Sequence, residues 1–215
     1  MEKLPTFLNH LSEKKPVNNG YEAIQDFFIS WTIRCAEERF STADPIVHGY
    51  AKKILAKLIF EKSLFFKDQK IDDDFIKRLK FKKAITQRQF EKIDVIAEVE
   101  YELDGKSNQI LLSIENKMYT KTSKNQLDKY SKIIENKKGQ MFPQIEKILI
   151  YIDSRWIDNN QLRIAEEYSY KIFEIGELFD KINNHPSQNE LFDSYWYTDY
   201  GRKEKQELTT NKNKL

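Results

Sequence analysis

Apolar and polar residues recur with two different periods along this chain, and the period changes near residue 84. The first part has the 3.6-residue period of amphipathic helices, with helices expected over residues 21–38, 44–62 and 72–81. Asp44 is the expected N-cap of the second helix, and Pro45 occupies its first turn. The apolar stripe of the first helix consists of Ile24, Phe27, Phe28, Trp31 and Cys35. A helical N-terminal part of about 21–83 is therefore predicted.

The second part has the two-residue period of β-strands. Residues 92–103 alternate between apolar and polar side chains, and the Asp104-Gly105 pair that follows favours a two-residue hairpin loop. Residues 106–117 then form the return strand. The elements expected after the hairpin are a helix over 124–137, buried strands over 147–153 and 170–175, and a short helix over 177–183. We predict an α/β fold with a mixed central sheet flanked by helices.

The hairpin loop determines which residues of its two strands face each other. With residues 104–105 in the loop, facing residues have numbers that sum to 209. One face then pairs apolar residues only: Val95 with Ile114, Ala97 with Leu112, and Val99 with Ile110. On the other face Asp94 comes opposite Glu115, and Lys117 joins them because strand side chains repeat every two residues.

This pair of opposed carboxylates, with a lysine beside it, is the strongest candidate for chemistry. Like charges about 5 Å apart repel each other, and a shared Mg²⁺ or Mn²⁺ ion, which prefers oxygen ligands, would remove that cost. Such an ion activates water and binds phosphate, while Lys117 would orient the water or offset negative charge, as phosphodiester hydrolysis requires. The alternative is a solvated strand face, because Glu98 and Glu100 share the face of Asp94.

These residues also resemble the motif of a known family. A strand with Asp94, a second strand that ends in Glu115-Asn116-Lys117, and a helix with a Gln-x-x-x-Tyr pattern are similar to the PD-(D/E)xK nuclease superfamily. The stretch 112-LSIENKMYTKTSKNQLDKY-130 is most similar to its branch with such a helix, which includes bacterial nucleases. The resemblance implies a restriction-endonuclease-like core.

The resemblance further implies roles for the residues of the motif. Asp94, Glu115 and the backbone carbonyl of Asn116 would bind Mg²⁺ or Mn²⁺. Lys117 would assist the attacking water, and Gln126 would support the site.

One more metal ligand is implied on the first helix, where members of the family often carry an acid. Glu38 is our candidate, because it extends the apolar face of that helix by three residues, and Glu37 is the second choice. Only the helix face and the chain order support this choice.

Gln126 and Tyr130 also have a structural interpretation. Ser123 and Gln126 have the spacing of a capping box, with Ser123 as N-cap. Tyr130 continues the stripe of Leu127 and Ile134 into the core, with its hydroxyl near the site. The sequence leaves open whether Gln126 serves the site or the helix end.

Basic residues crowd just before the strand of Asp94. Lys80, Lys82, Lys83 and Arg88 would follow a phosphate backbone, or else they form a solvated helix end. The net charge of the 215-residue chain is +2, which is too small to imply a nucleic-acid partner by itself. The resemblance makes nucleic acid the expected substrate, DNA rather than RNA, with bacterial defence or restriction as the setting.

Composition indicates the compartment and the size of the domain. The single cysteine, Cys35, excludes an intramolecular disulfide, fits a reducing compartment and is expected to pack in the core. No stretch is apolar enough to span a membrane, and residues 1–15 lack a signal-peptide core, so we expect a cytoplasmic protein without membrane contact. We expect one domain over 1–200, with a catalytic core of about 84–184, and a mobile polar tail over 201–215.

Two other functions stay open from the sequence. The first is a nuclease-like fold that binds nucleic acid or a partner protein without cleaving it. The second is an assembly protein, for example a homodimer, that uses the aromatic run 195-YWYTDY-200 as its contact.

Overall fold

The structure, a computed structural model, describes residues 3–5, 21–67, 69–138, 141–179 and 185–199. The chain divides into two compact units, one that ends at Leu178 and one that begins at Phe179. The prediction of a single domain over 1–200 stays a prediction, and the predicted tail over 201–215 lies outside the described residues. No helix in the described part is long and apolar enough to cross a membrane.

A five-stranded mixed sheet forms the centre of the first unit, with the strands in chain order. The first three strands pair antiparallel, and the last two join the third in parallel. The strands are β1 (Leu79–Phe90), β2 (Ile93–Leu103), β3 (Lys106–Lys117), β4 (Ile145–Tyr151) and β5 (Tyr170–Glu174). The predicted α/β class with a mixed sheet flanked by helices is confirmed.

The described residues of the first unit form six α-helices. They are α1 (Tyr21–Cys35), α2 (Pro45–Phe60), α3 (Asp73–Arg78), α4 (Lys124–Lys137), α5 (Asn159–Glu167) and α6 (Ile175–Leu178). Short 3₁₀ turns lie at Glu38–Phe40 and Ser154–Trp156. The predicted N-cap of α2 is confirmed, because Asp44 Oδ1 accepts from the backbone N–H of Val47 at 3.0 Å.

The hairpin between β2 and β3 has the predicted register. Leu103 pairs with Lys106, and the pairing continues without a shift to Val95 and Ile114. The second half of β3 is more buried than a half-solvated strand would be, because every residue from Ile110 to Lys117 is buried. Strand β3 has a parallel neighbour, β4, and strands of parallel sheets are usually covered on both faces. The alternative of a solvated face is therefore wrong for this end of β3.

Strand β1 was not predicted from the sequence. Its buried residues are Leu79 and Phe81 and then Ala84 and Thr86, so the two-residue alternation changes parity in the middle. The register with β2 shifts between Phe81 and Lys83, which marks a bulge. The bulge returns the buried side chains to one face but breaks the alternation that identifies a strand. The predicted helix over 72–81 is correspondingly shorter and ends at Arg78.

Helix α5 was also missed, and the parallel sheet explains why it is there. Strands β4 and β5 run parallel, so the chain must cross back between them, usually through a helix. Asp158 caps α5 by accepting from the backbone N–H of Gln161 at 2.9 Å. The helix predicted over 177–183 is present only as α6, and residues 180–184 lie outside the described part.

The second unit contains a short helix α7 (Glu190–Phe192) and a π-helix over Asp193–Asp199. Its aromatic rings pack on one another, with Phe179 against Phe192 and Tyr195 against Trp196. Edge-to-face contacts of this kind stabilise small cores. Part of the aromatic run 195–200 thus packs inside its own unit.

Candidate active site

The predicted carboxylate pair lies where β2 begins and β3 ends. Val95 pairs with Ile114. Asp94 immediately precedes Val95 and Glu115 immediately follows Ile114, so the same register places Asp94 beside Glu115. Lys117 Nζ donates to Glu115 Oε1 at 2.6 Å, and both side chains are more than nine-tenths buried. The structure therefore brings Asp94, Glu115 and Lys117 to one place.

Asn116 connects the two strands at this point. Its backbone N–H donates to Asp94 Oδ2 at 2.8 Å. In an extended strand the N–H and C=O of one residue point to the same side, so the Asn116 carbonyl also points toward Asp94. The carbonyl of Lys117 points the other way and accepts from the backbone N–H of Ile152 at 3.0 Å. Asn116 thus presents its carbonyl on the side on which the resemblance requires a metal ligand.

Helix α4 contributes Gln126 and Tyr130. Gln126 Nε2 donates to Glu115 Oε1 at 2.6 Å and contacts the Tyr130 hydroxyl at 3.2 Å. The Tyr130 hydroxyl donates to the carbonyl of Lys92 at 2.8 Å. Ser123 is also the N-cap, because its Oγ accepts from the backbone N–H of Gln126 at 3.2 Å. The backbone of Gln126 serves the helix end, while its side chain orients Glu115.

A third carboxylate, which the sequence did not single out, comes from helix α1. Asp26 is buried, and its Oδ1 accepts from the side-chain amide of Asn116. Gln89 Nε2 donates to Asp26 Oδ2 at 3.2 Å and to Asp94 Oδ1 at 3.2 Å. Asp26 therefore adjoins Asp94 through a shared amide donor.

The choice of Glu38 as the acid of the first helix needs correction. Helix α1 ends at Cys35, about 14 Å along the axis from Asp26, and Glu38 follows in a 3₁₀ turn. Its titratable neighbours are Lys52, at 3.7 Å, and His48, both on α2. The structure places Asp26, rather than Glu38, beside the other acids.

The reason for the error lies in the face of α1 that meets the sheet. The predicted apolar stripe includes Ile24, which is 50% exposed, whereas the polar residues Gln25, Asp26 and Ser30 are almost fully buried. Ser30 Oγ donates to Thr86 Oγ1 on β1 at 2.8 Å. The useful signal was a cluster of polar residues at helical spacing within an otherwise apolar helix.

Burial and mutual repulsion shift the titration of these acids. Burial, and then the charge of Asp94, raises the pKa of Asp26 to about 7 and that of Glu115 to about 8. Lys117 acts in the opposite direction on the pKa of Glu115. Glu115 Oε2 is buried without a hydrogen-bond partner among the described residues. Ionisation of these acids is therefore unfavourable unless a cation binds beside them.

The donor atoms fit a hard divalent ion, although the side chains are not arranged as a complete cage. No three His, Cys, Asp or Glu side chains of the described part form a group ready to hold a metal. The acids instead accept hydrogen bonds from amide and ammonium groups of Asn116, Gln89, Gln126 and Lys117. Carboxylate and carbonyl oxygens are nevertheless the ligands that Mg²⁺ and Mn²⁺ prefer. Within this site, the orphaned Glu115 Oε2 is the carboxylate oxygen that a cation could bind.

The basic residues predicted to meet nucleic acid lie on edge strand β1, so a helix end does not explain them. Lys80, Lys82 and Lys83 are exposed, but two of them form ion pairs with acids of β2, Lys82 with Glu102 and Lys83 with Glu100. Arg88 is half-buried, and its guanidinium lies over the ring of Phe27. Its charge also lowers the pKa of Asp26, which places Arg88 near the acids.

The five-stranded mixed sheet flanked by helices, with an acid–lysine pair at the end of its central strand, is consistent with a restriction-endonuclease-like α/β core. A sequence comparison with known families agrees. The model of the PD-(D/E)XK nuclease superfamily matches residues 23–202, and the chain belongs to this family. No curated protein and no solved structure matches the chain.

Proposed function

We propose that this protein is a divalent-metal-dependent nuclease that hydrolyses phosphodiester bonds in nucleic acid. The observation that supports the proposal best is the convergence of Asp26, Asp94 and Glu115 with Lys117 at the buried end of β3. A carboxylate cluster next to one lysine suits metal-assisted hydrolysis.

In this proposal each residue of the site has a distinct task. Asp94, Glu115 and the Asn116 carbonyl bind Mg²⁺ or Mn²⁺, and Asp26 replaces Glu38 as the acid of the first helix. A bound ion would lower the pKa of a water molecule and offset charge on the phosphate. Lys117 orients that water.

Gln126 keeps Glu115 in place through the amide that it donates, and Tyr130 holds Gln126 by its hydroxyl. Supporting contacts of this kind fix the orientation of a metal ligand. Both residues therefore act through Glu115 rather than on the substrate.

We propose DNA rather than RNA as the substrate, and a cytoplasmic role in bacterial defence or restriction, on the association with the family alone. The test is to incubate the purified protein with single- and double-stranded DNA and RNA, in Mg²⁺, in Mn²⁺ and in a chelator. We expect cleavage of DNA only with a divalent ion. Asp94→Asn, purified in parallel, shows whether any activity comes from a contaminant. Cleavage that persists in chelator would refute metal dependence.

A second candidate function is a binding module with this fold, and the amide donors between the acids favour it. Such a protein would bind nucleic acid but leave it intact with either ion. The same incubations, read once for binding and once for cleavage, separate the two functions.

Binding should weaken with salt if β1 follows the phosphate backbone. Each phosphate contact contributes about one unit to the slope of log affinity against log salt. Neutralising Lys80, Lys82, Lys83 and Arg88 together should lower the slope by about two units rather than four, because Glu102 and Glu100 already compete for two of the lysines. Fluorescence anisotropy between low and physiological salt measures the slope.

The control for this experiment is Lys132→Gln, since Lys132 is also ion-paired but lies on α4, where it contacts Asp128 at 2.7 Å. We expect its slope to equal that of the wild type. An unchanged slope in the fourfold variant would mean that the basic residues of β1 do not contact the phosphate backbone.

A further inference from the structure

Gln89 is a neutral residue whose side chain lies between two acids of the site. It lies near the end of β1 with an exposed side chain, yet its Nε2 contacts two acids at once. The distances to Asp26 Oδ2 and to Asp94 Oδ1 are both 3.2 Å. One neutral amide thus connects the acid of α1 with the acid of β2.

The strand register places Gln89 there, and its backbone conformation is unusual. Arg88 pairs with Val95 and Phe90 with Ile93, so Gln89 comes opposite Asp94. Gln89 has a φ of +53°, in the left-handed region that residues with a side chain rarely adopt. Glu91 and Lys92, in the adjoining turn to β2, also have positive φ, so the conformation of the whole hairpin end places Gln89 here.

The two distances from Gln89 Nε2 to the acids are close to the separation of neighbouring ligands in a metal-ion shell. In an octahedral Mg²⁺ site, ligand oxygens lie about 2.1 Å from the ion, so neighbouring ligands are about 3 Å apart. Gln89 Nε2 is at nearly this distance from both carboxylate oxygens. A half-turn about the last side-chain bond exchanges the amide nitrogen and oxygen, and this torsion has a broad two-fold profile. The turn would bring Oε1 to the same place.

We propose that Gln89 is itself a ligand of the divalent ion, through its amide oxygen, beside Asp26 and Asp94. The proposal rests on the metal site of the proposed function and extends it to a strand that carries none of the family's motif residues. The amide donates to the two acids until an ion arrives, and it then turns so that its oxygen faces the ion. Since the side chain is exposed, it can turn without repacking the core.

The test is a calorimetric titration of chelator-treated protein with Mn²⁺, with no substrate present. Gln89→Ala should weaken the Kd for Mn²⁺ about tenfold, as loss of a group that shapes a metal site typically does. Gln89→Met keeps the length of the side chain but lacks the oxygen, so it should weaken binding equally. It replaces the alanine variant in the titration if that variant folds poorly. Gln89→Glu should bind at least as tightly as the wild type, because it supplies an oxygen with a charge.

The matched control is Gln87→Ala, which removes an exposed amide from the same strand two residues earlier. Its Kd should equal that of the wild type. Tighter binding by Gln89→Ala and Gln89→Met would mean that the amide only competes with the ion, and an unchanged Kd would mean that it only ties α1 to β2. Either result overturns the proposal.

Asp94→Asn separates this failure from failure of the metal site. If Asp94→Asn loses Mn²⁺ binding while the Gln89 variants keep it, only the role of Gln89 is wrong. If all of these variants bind Mn²⁺ like the wild type, the metal site of the proposed function is wrong as well.

Discussion

Asp94→Asn, Glu115→Gln and Lys117→Met should each reduce cleavage by about a thousandfold or more without unfolding the protein. Loss of a single group that stabilises developing charge typically costs two to three orders of magnitude in rate, and loss of a metal ligand also removes the ion's contribution. These replacements keep the shape of each side chain. That matters because Lys117 and Glu115 are buried beside each other, and a truncated side chain would leave a cavity there in addition to the lost charge.

Asp26 and Glu38 provide a matched comparison within this experiment. Asp26→Asn should lose activity like Asp94→Asn, whereas Glu38→Gln should stay within a few-fold of the wild type, because Glu38 pairs with Lys52. Initial rates at saturating Mg²⁺, with circular dichroism as the test of folding, measure both effects. Near-wild-type activity in a variant of Asp94, Glu115 or Lys117 would refute the site. Equal losses at Glu38 and Asp26 would refute the choice of Asp26.

The hairpin could be predicted from the sequence because two independent signals agree there. The Asp-Gly loop determines the register, and the apolar pairs on one face are consistent with only that register. The position of Asp94 beside Glu115 follows directly. The family resemblance then connected the pair with Lys117 and with Gln126, whose side chain does reach Glu115.

Features that depend on tertiary contacts could not be predicted in this way. Asp26 lies on a helix whose apolar stripe suggested another inward face, and only contact with Asn116 and Gln89 shows that its carboxylate is buried at the site. Strand β1 escaped because its bulge changes the parity of the alternation. Asp26 and Gln89 contact each other in the site. The sequence analysis missed both, because it misjudged the inward face of α1 and did not identify β1.

The stability of the protein should fall with rising pH in chelator and recover with a divalent ion. Burial and the charge of Asp94 raise the pKa of Asp26 to about 7 and of Glu115 to about 8. Above about pH 4 the unfolded chain releases protons from these acids that the folded protein keeps. Unfolding is therefore increasingly favoured up to about pH 8, where the folded acids also ionise.

A divalent ion that binds the ionised, folded site opposes this trend. At a hundredfold excess over Kd it adds about 2.7 kcal/mol, which corresponds to a rise in Tm of about 5–10 °C for a chain of this size. Because binding needs the acids deprotonated, the gain should be larger at pH 8 than at pH 6.

Asp94→Asn should change both behaviours, because Asp94 is the second largest cause of each raised pKa after burial. We expect this variant to melt higher than the wild type in chelator at pH 8, to depend less on pH, and to lose most of its gain from Mn²⁺. Glu100→Gln is the control, since it lies six residues along β2, about 20 Å away, beside Lys83. Its melting series should follow the wild type. If Asp94→Asn keeps the full Mn²⁺-induced rise in Tm, Asp94 and its neighbours do not share an ion, and the proposed metal site fails even if the hairpin register holds.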